Sequence, residues 1–411
     1  MDSPPIVIKS RDYWWGLIVL TVGTYAVLWR WPEIFGAWGI RLPLGHWFVD
    51  TFALLAASDA FAQGLNPYES NPLDLLKQPH WYSDWWFRLQ ALGLTRVDAP
   101  WLGFGLVLVF LLAALLVLRP ESLAEMLLGW LALCSPALAL GVNRANFDLF
   151  IFAALALAAW LLLRSPRGVR LAVPPLIAFL VGLKFFPLAA AAALPFAPAA
   201  RREKWEMLAF MAGLAGLVLW GIHDDILRLA AVMNNPIQLY TFGARQIIPD
   251  DTHGRLATLA VVGVGLGLIA FWWRRAPELP AGLDHQKVVL FGFGAATITG
   301  CFFVGVGFNY RLVFGLLLLP LLWTLHREAP AGLTRSLALG ALVGLPLLLW
   351  LDGFVCLLIN AAGPNLELAS VLTLRRLGYG LVSWAWITVV LGLWVALARP
   401  VCRQLLSGDA K

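Results

Sequence analysis

The chain has 411 residues, of which 60% are hydrophobic and only 13% are charged, and its mean hydropathy is +0.78. Soluble domains carry roughly 25% charged residues, so this composition excludes a soluble protein and leaves no room for a large soluble domain. The net charge of +6 does not indicate nucleic-acid binding, because the basic residues lie mostly in short loops, where they orient membrane proteins.

Apolar runs recur along the whole chain, and a spanning helix needs roughly 20 such residues. The first run, 14–30, follows Lys9 and Arg11 and lacks a small-residue cleavage site, which indicates a retained span rather than a signal peptide. The further predicted spans are 101–118, 124–142, 147–163, 205–221, 256–273, 288–307, 312–326, 335–351 and 377–398.

The apolar region 171–199 differs because prolines interrupt it and Lys184 lies near its middle. This pattern predicts two short helices that meet near Lys184. The predicted fold is therefore all-α, a polytopic integral membrane protein with about twelve membrane helices, two of them short.

The distribution of basic residues predicts which loops face outward. Short loops rich in Lys and Arg belong to the cytoplasmic side, which places both termini in the cytoplasm. We treat 1–411 as one transmembrane domain with two long outer loops, 31–100 and 222–254. The segments predicted outside are 31–100, 143–148, the turn at Lys184, 222–254, 309–311 and 352–376.

The first outer loop contains an apolar helix with Asp50 near its start, closed by Gly64-Leu-Asn-Pro67-Tyr68. At 100° per residue, Asp50 and Asp59 point to opposite faces, so they cannot form a two-carboxylate site. We expect this helix to lie at the membrane interface with its apolar surface against the bilayer. The simpler interpretation of Asp50 is a charge that favours a helix N-terminus.

The motif Asn143-Arg144-Ala-Asn146-Phe-Asp148 joins two predicted spans. Arg suits a phosphate or a carboxylate, although Asn and Asp also cap helices and Asp148 is equally suited to be the internal partner of Arg144. A Lys at membrane depth costs about 2.5–3.5 kcal/mol, so Lys184 requires water, a ligand or a structural partner.

Further polar residues lie in the remaining outer segments. Asn309-Tyr310-Arg311 precedes an apolar helix, where Arg311 either contacts an anion or reaches lipid headgroups. Arg245 and Arg376 are additional cation candidates. One carboxylate and several cations on the outer side predict the handling of an anionic, phosphate-bearing lipid. The four cysteines show no metal-ligand spacing, and we expect neither a metal nor a cofactor.

Four stretches together resemble the GT-C superfamily of membrane glycosyltransferases, most closely the bacterial branch related to phosphatidylinositol mannoside mannosyltransferases. They are Val49-Asp50 with Gly64-x-x-Pro67-Tyr68, Asn143-Arg144-Ala-Asn146-Phe-Asp148, Leu183-Lys184-Phe-Phe-Pro187, and Asn309-Tyr310-Arg311-Leu-Val-Phe. The resemblance implies inverting transfer of a sugar from a polyprenyl-phosphate donor to a lipid or glycan acceptor, at the outer face of a bacterial inner membrane.

The resemblance also assigns roles to residues. Asp50 is the expected general base, which removes a proton from the acceptor hydroxyl. The cations expected to bind the donor phosphate are Lys184, Arg311, Arg144, Arg245 and Arg376. The expected substrate-binding residues are Asn146, Asp148, Tyr68, Asn309 and Tyr310.

Two other functions fit the same composition. A transporter or lipid flippase needs a midplane site, often between inverted repeats, and no internal repeat is evident here. An enzyme resembling O-antigen ligases would act on diphosphate-linked glycans, and its larger substrate would suit an outer loop longer than 222–254.

Overall fold

The computed structural model describes residues 10–40, 46–164, 166–232, 241–247, 254–304, 307–362 and 368–407. Within these ranges the chain is mostly helical, with a single two-stranded pair, as its recurring apolar runs predict. The α-helices are α1 Ser10–Arg30, α2 Ile34–Ala37, α3 Val49–Ala62, α4 Ala99–Val117, α5 Leu123–Leu133, α6 Pro136–Arg144, α7 Asp148–Leu162, α8 Arg167–Arg170, α9 Val173–Leu183, α10 Arg201–Gly221, α11 His223–Val232, α12 Gly254–Arg275, α13 His285–Val304, α14 Leu319–Glu328, α15 Leu333–Ala362 and α16 Leu368–Leu406. The 3₁₀ segments are Asp84–Leu92, Arg96–Asp98, Phe186–Phe196, Ala244–Ile247 and Asn309–Leu317.

The number of helices able to cross a membrane is smaller than the sequence predicts. Among the described residues, α4, α12, α13, α15 and α16 are long and apolar enough, and α5 with α6 makes a sixth if this pair, bent by 49°, is one span. The expected number of about twelve is not confirmed. Helix α7 has only 15 residues, whereas α1 and α10 have the length but not the apolarity.

The spanning helices differ in how much of their surface the protein covers. In the apolar 18-residue stretch of each helix, the share that is buried inside the protein is 72% for α13, but only 28% for α4 and 17% for α12. Helix α13 therefore lies at the centre of the bundle, while α4 and α12 expose large apolar side chains such as Trp101, Leu112 and Leu266. Such continuous apolar surface is suited to lipid rather than to water.

The predicted break at Lys184 is present. Helix α9 ends at Leu183, Lys184 has extended backbone angles, and a 3₁₀ segment begins at Phe186. Because the chain leaves helical geometry here, the side chain of Lys184 points into a junction between elements.

The helix that carries Asp50 packs differently from the expectation. Helix α3 is present where predicted, but eight of its residues are buried inside the protein. Leu54, one turn after Asp50, contacts a small hydrophobic cluster with Trp86 and Leu183. The expectation that the apolar surface of α3 faces the bilayer is therefore wrong for most of that surface.

A two-residue antiparallel pair connects the segment 241–247 to the bundle. Strand β1, Thr241–Phe242, pairs with β2, Gly307–Phe308, with Thr241 opposite Phe308. This pairing fixes the start of the 3₁₀ segment that carries Tyr310 and Arg311. Within the predicted loop 222–254, residues 233–240 and 248–253 lie outside the described residues.

Candidate functional site

The ends of five helical segments meet at one place in the bundle. They are the start of α3, the turn between α6 and α7, the end of α9, and the start of the 3₁₀ segment at 309–317. The side chains from these ends form one network of hydrogen bonds and ion pairs, the Asp50 network. It consists of Asp50, Arg144, Asn146, Asp148, Lys184, Tyr310 and Arg311.

Asp50 accepts hydrogen bonds through both carboxylate oxygens. Its Oδ1 accepts from Arg144 Nε at 2.8 Å and lies 2.6 Å from Arg144 Nη2. Its Oδ2 accepts from Asn146 Nδ2 at 2.5 Å. The side chain retains 13% of its exposure, so the carboxylate is oriented by the protein and still reaches the solvent.

Two residues with left-handed backbone flank this contact. Phe48 precedes α3 with φ of 65°, and Ala145 follows α6 with φ of 43°. Residues other than glycine adopt this backbone conformation at a cost of about 1–3 kcal/mol. The bond from Phe48 N to Asn143 O, 2.7 Å, and the bond from Thr51 Oγ1 to Ala145 O, 2.9 Å, hold the two turns together. Strain of this kind concentrates at functional sites.

Asn146 connects the two acidic residues of the network. Its Nδ2 donates to Asp50 and also to Tyr310 Oη at 2.9 Å. Its Oδ1 accepts from Lys184 Nζ at 3.2 Å and from the backbone N–H of Asp148 at 2.9 Å. A side-chain amide has two donors and one acceptor oxygen, so these contacts fix which way the amide points.

Asp148 and Lys184 form the buried part of the network. Lys184 Nζ donates to Asp148 Oδ1 at 2.5 Å, with exposures of only 4% and 1% for the two side chains. Arg311 Nε lies 3.6 Å from Asp148 Oδ2, an ion-pair distance, and the Arg311 side chain as a whole is 21% exposed. The alternative in which Asp148 pairs with Arg144 is wrong, because Arg144 pairs with Asp50.

The charges of the network do not cancel. Arg144, Lys184 and Arg311 carry three positive charges, while Asp50 and Asp148 carry two negative ones. One positive charge is left over in a largely dehydrated place, where an anion is attracted more strongly than in water.

Aromatic rings, which the sequence did not single out, surround the cations. Lys184 Nζ lies 4.9 Å from the ring centroid of Tyr82, and Arg311 Cζ lies 5.0 Å from that of Phe186. Phe308 stacks on Tyr310 with 5.2 Å between ring centroids. Aromatic residues are too frequent in this chain for a sequence signal to have identified these three.

Two residues predicted to bind substrate belong to other clusters. Tyr68 donates through its hydroxyl to Asp225 at 2.9 Å, and burial together with this bond raises the pKa of Tyr68 well above its ordinary value. Asn309 donates to Asp352 at 2.8 Å. Neither side chain has a described contact with the Asp50 network.

The predicted cations Arg245 and Arg376 also lie apart. Arg245 is half-buried in the 3₁₀ segment 244–247, and Arg376 is half-buried on α16. Among the described residues, no contact joins either of them to the Asp50 network. The structure therefore brings Arg144, Lys184 and Arg311 together and leaves these two outside.

A second buried ion pair, which sequence reasoning missed, lies beside the site. Arg375 bonds Asp352 twice at 2.7 Å, with side-chain exposures of 2% and 0%. The same guanidinium donates to Thr241 Oγ1 at 3.0 Å, and Asp352 holds Asn309. The sequence signal that could have indicated this pair is Asp352, an acidic residue within an apolar run, because ionisable residues inside membrane helices require a partner or a function.

The described residues contain no group of three or more His, Cys, Asp or Glu placed to hold a metal ion. What the network offers is a carboxylate that reaches solvent beside an excess of positive charge. Comparison with protein-family models, with curated proteins and with solved structures finds no match for this chain.

Proposed function

We propose that this protein is an inverting glycosyltransferase of the GT-C type that uses a polyprenyl-phosphate sugar as donor. The observation that carries the proposal is the Asp50 network, in which a solvent-reaching carboxylate is held against cations with one net positive charge. An inverting transfer with a phosphate leaving group needs one base and electrostatic stabilisation of the phosphate. The Asp50 network supports the proposal because it places a partly exposed carboxylate beside an excess of cations.

The charge balance of such a reaction follows the charges of the network. The donor is a phosphodiester with one negative charge, which matches the one excess positive charge. As the acceptor hydroxyl attacks the anomeric carbon, its proton moves to Asp50 and the bond from that carbon to the phosphate oxygen breaks. The network gains one positive charge when Asp50 is neutralised, while the leaving phosphate gains one negative charge.

Burial separates the two carboxylates by role. A general base has to come within hydrogen-bond reach of the acceptor hydroxyl. Asp50 is 13% exposed, whereas Asp148 is 1% exposed and directly bonded to Lys184. Asp50 is therefore assigned as the base, and Asp148 as the residue that orients Lys184 and Arg311.

The same criterion ranks the cations. Arg144 and Arg311 are 16% and 21% exposed, and Lys184 is 4% exposed. Arg144 and Arg311 are thus the groups that touch the donor phosphate. Lys184 contributes its charge from behind them.

The proposed location follows from the basic loops and the helix ends. The positive-inside rule favours cytoplasmic termini, with the Asp50 network on the outer face of a bacterial inner membrane. The network joins helix termini and loops. A transporter would instead place its site at the midplane of its spanning helices.

The test is a transfer assay with purified protein in lipid nanodiscs, labelled polyprenyl-phosphate sugars and a lipid or glycan acceptor fraction. We expect Asp50→Asn to lower transfer by about 10²–10⁴-fold, as loss of a general base does, while donor binding persists. Asp59→Asn is the matched control, because Asp59 lies on the same helix and contacts the backbone N–H of Arg96 instead. Undiminished transfer by Asp50→Asn would refute the assignment.

A further inference from the structure

A cavity of about 620 Å³ opens on the surface of the first outer loop. Its volume is within the roughly 300–1,000 Å³ of pockets that hold small organic ligands. It is called the loop groove here, and the residues that line it and enter the argument are Phe61, Asn66, Tyr68, Glu69, Trp81 and Arg228.

The aromatic residues of the loop groove are held from behind. Phe61 is 54% exposed, and its other face stacks on Phe87 with centroids 4.6 Å apart and planes 14° apart. Tyr68 is fixed by the bond from its hydroxyl to Asp225. Flat apolar rings that are already fixed lose little entropy when a ligand stacks on them.

The polar residues of the loop groove include both donors and acceptors. Arg228 lies over Tyr68 at 5.0 Å and contributes donors only. Glu69 accepts a bond from Asn66 Nδ2 at 2.8 Å and offers further acceptor sites. Because Arg228 and Glu69 carry opposite charges, the groove has no excess positive charge that would attract a phosphate. Hydroxyl groups, which both donate and accept, match this lining, and so do the flat apolar faces of sugar rings.

Aromatic contacts lead from the loop groove to the Asp50 network. His80 lines the groove and lies 5.4 Å from Tyr68 and 5.6 Å from Tyr82, measured between ring centroids. Tyr82 in turn lies 4.9 Å from Lys184 Nζ. His80 and Tyr82 therefore lie between the groove and Lys184, the buried cation of the network.

We infer that the loop groove binds neutral sugar rings of the acceptor, so that the acceptor is a glycan entering from the aqueous side. All lining residues come from the segment 61–81 and from α11, not from the long apolar helices that an acyl chain would follow. The identification of this sugar as the acceptor depends on the proposed function, whereas the binding of sugar does not.

The test is ligand-observed saturation-transfer NMR of the full chain in nanodiscs with neutral glucose, mannose and galactose trisaccharides. At least one trisaccharide should bind. Trp81→Ala and Arg228→Gln should each weaken that binding by at least about fivefold. Arg228 is exposed and lies 3.7 Å from the Asp225 carboxylate, and glutamine keeps a hydrogen-bond donor at this position. Trp101→Ala, an exposed tryptophan on α4, is the matched control and should leave binding unchanged.

Asp50→Asn separates this inference from the proposed function. It should bind the trisaccharide as the wild type does while losing transfer. Absence of binding by every trisaccharide, or binding that survives both groove variants, overturns the inference even if Asp50 proves essential. Sugar binding that depends on the groove would stand even if Asp50→Asn transferred sugar normally.

Discussion

Lys184 and Arg311 both contact Asp148, but the structure predicts different consequences of removing them. Loss of Lys184 should mainly lower stability, whereas loss of Arg311 should mainly weaken anion binding. Lys184→Met leaves a carboxylate of 1% exposure with only Arg311 at 3.6 Å. Losing one partner of a buried pair costs about 3–5 kcal/mol, and the remaining arginine places this case at the lower end, about 3 kcal/mol. Arg311→Gln leaves the 2.5 Å bond from Lys184 intact, so its stability cost should be smaller than that of Lys184→Met.

For anion binding we expect the opposite order, with a larger loss in Arg311→Gln than in Lys184→Met. A cation about 4 Å from a phosphate oxygen contributes about 4 kcal/mol at an effective dielectric constant of about 20, and exposure of Arg311 lowers this. We expect Arg311→Gln to weaken polyprenyl-phosphate binding at least tenfold, or about 1.4 kcal/mol. Asp148→Asn added to Lys184→Met should restore part of the lost stability, because the buried carboxylate is then removed and Arg311, the cation left without its partner, has a side chain that is 21% exposed.

Thermal unfolding in detergent, followed by tryptophan fluorescence, measures the stability order, and titration with polyprenyl phosphate measures binding. The reasoning is refuted if Arg311→Gln destabilises the protein as much as Lys184→Met. It is also refuted if the double variant is no more stable than Lys184→Met alone.

Three further predictions concern the surroundings of the site. Arg375→Ala should destabilise the protein by about 3–5 kcal/mol because Asp352 is fully buried, and Asp352→Asn in the same chain should recover part of this in thermal unfolding. Gly307→Ala places a Cβ 2.2 Å from Arg311 Nη1, so donor-phosphate affinity should fall with little change in melting temperature; unchanged affinity would contradict the position of Arg311. Burial lowers the pKa of His80 from 6.5 to about 4, so the unfolded chain binds a proton below pH 6.5 that the native protein does not. Stability should therefore fall by up to about 3 kcal/mol between pH 6.5 and pH 4, and a His80→Gln variant with the same pH dependence would speak against this.

The positions of most helices could be predicted from the sequence, because an apolar run satisfies its backbone internally wherever it is buried. The break at Lys184 was equally predictable, since prolines act on the local backbone. The number of spans was not, because α1, α7 and α10 are helices whose length or apolarity alone does not decide whether they cross. The direction in which the apolar residues of α3 point could not be predicted either, because it depends on contacts with Trp86 and Leu183, which are distant in sequence.

The same division holds for the site. The sequence alone singled out Asp50, Arg144, Asn146, Lys184 and Arg311, because polar residues between apolar runs are costly and few, and helical geometry separated Asp50 from Asp59. Only the tertiary structure decided the pairs, with Arg144 on Asp50 and Lys184 on Asp148. It also placed Arg245 and Arg376 apart from the Asp50 network and revealed the loop groove. The physical reason is that the cost of burying a charge is a property of the residue and its local segment, whereas the partner that compensates it comes from whichever helix end packs alongside.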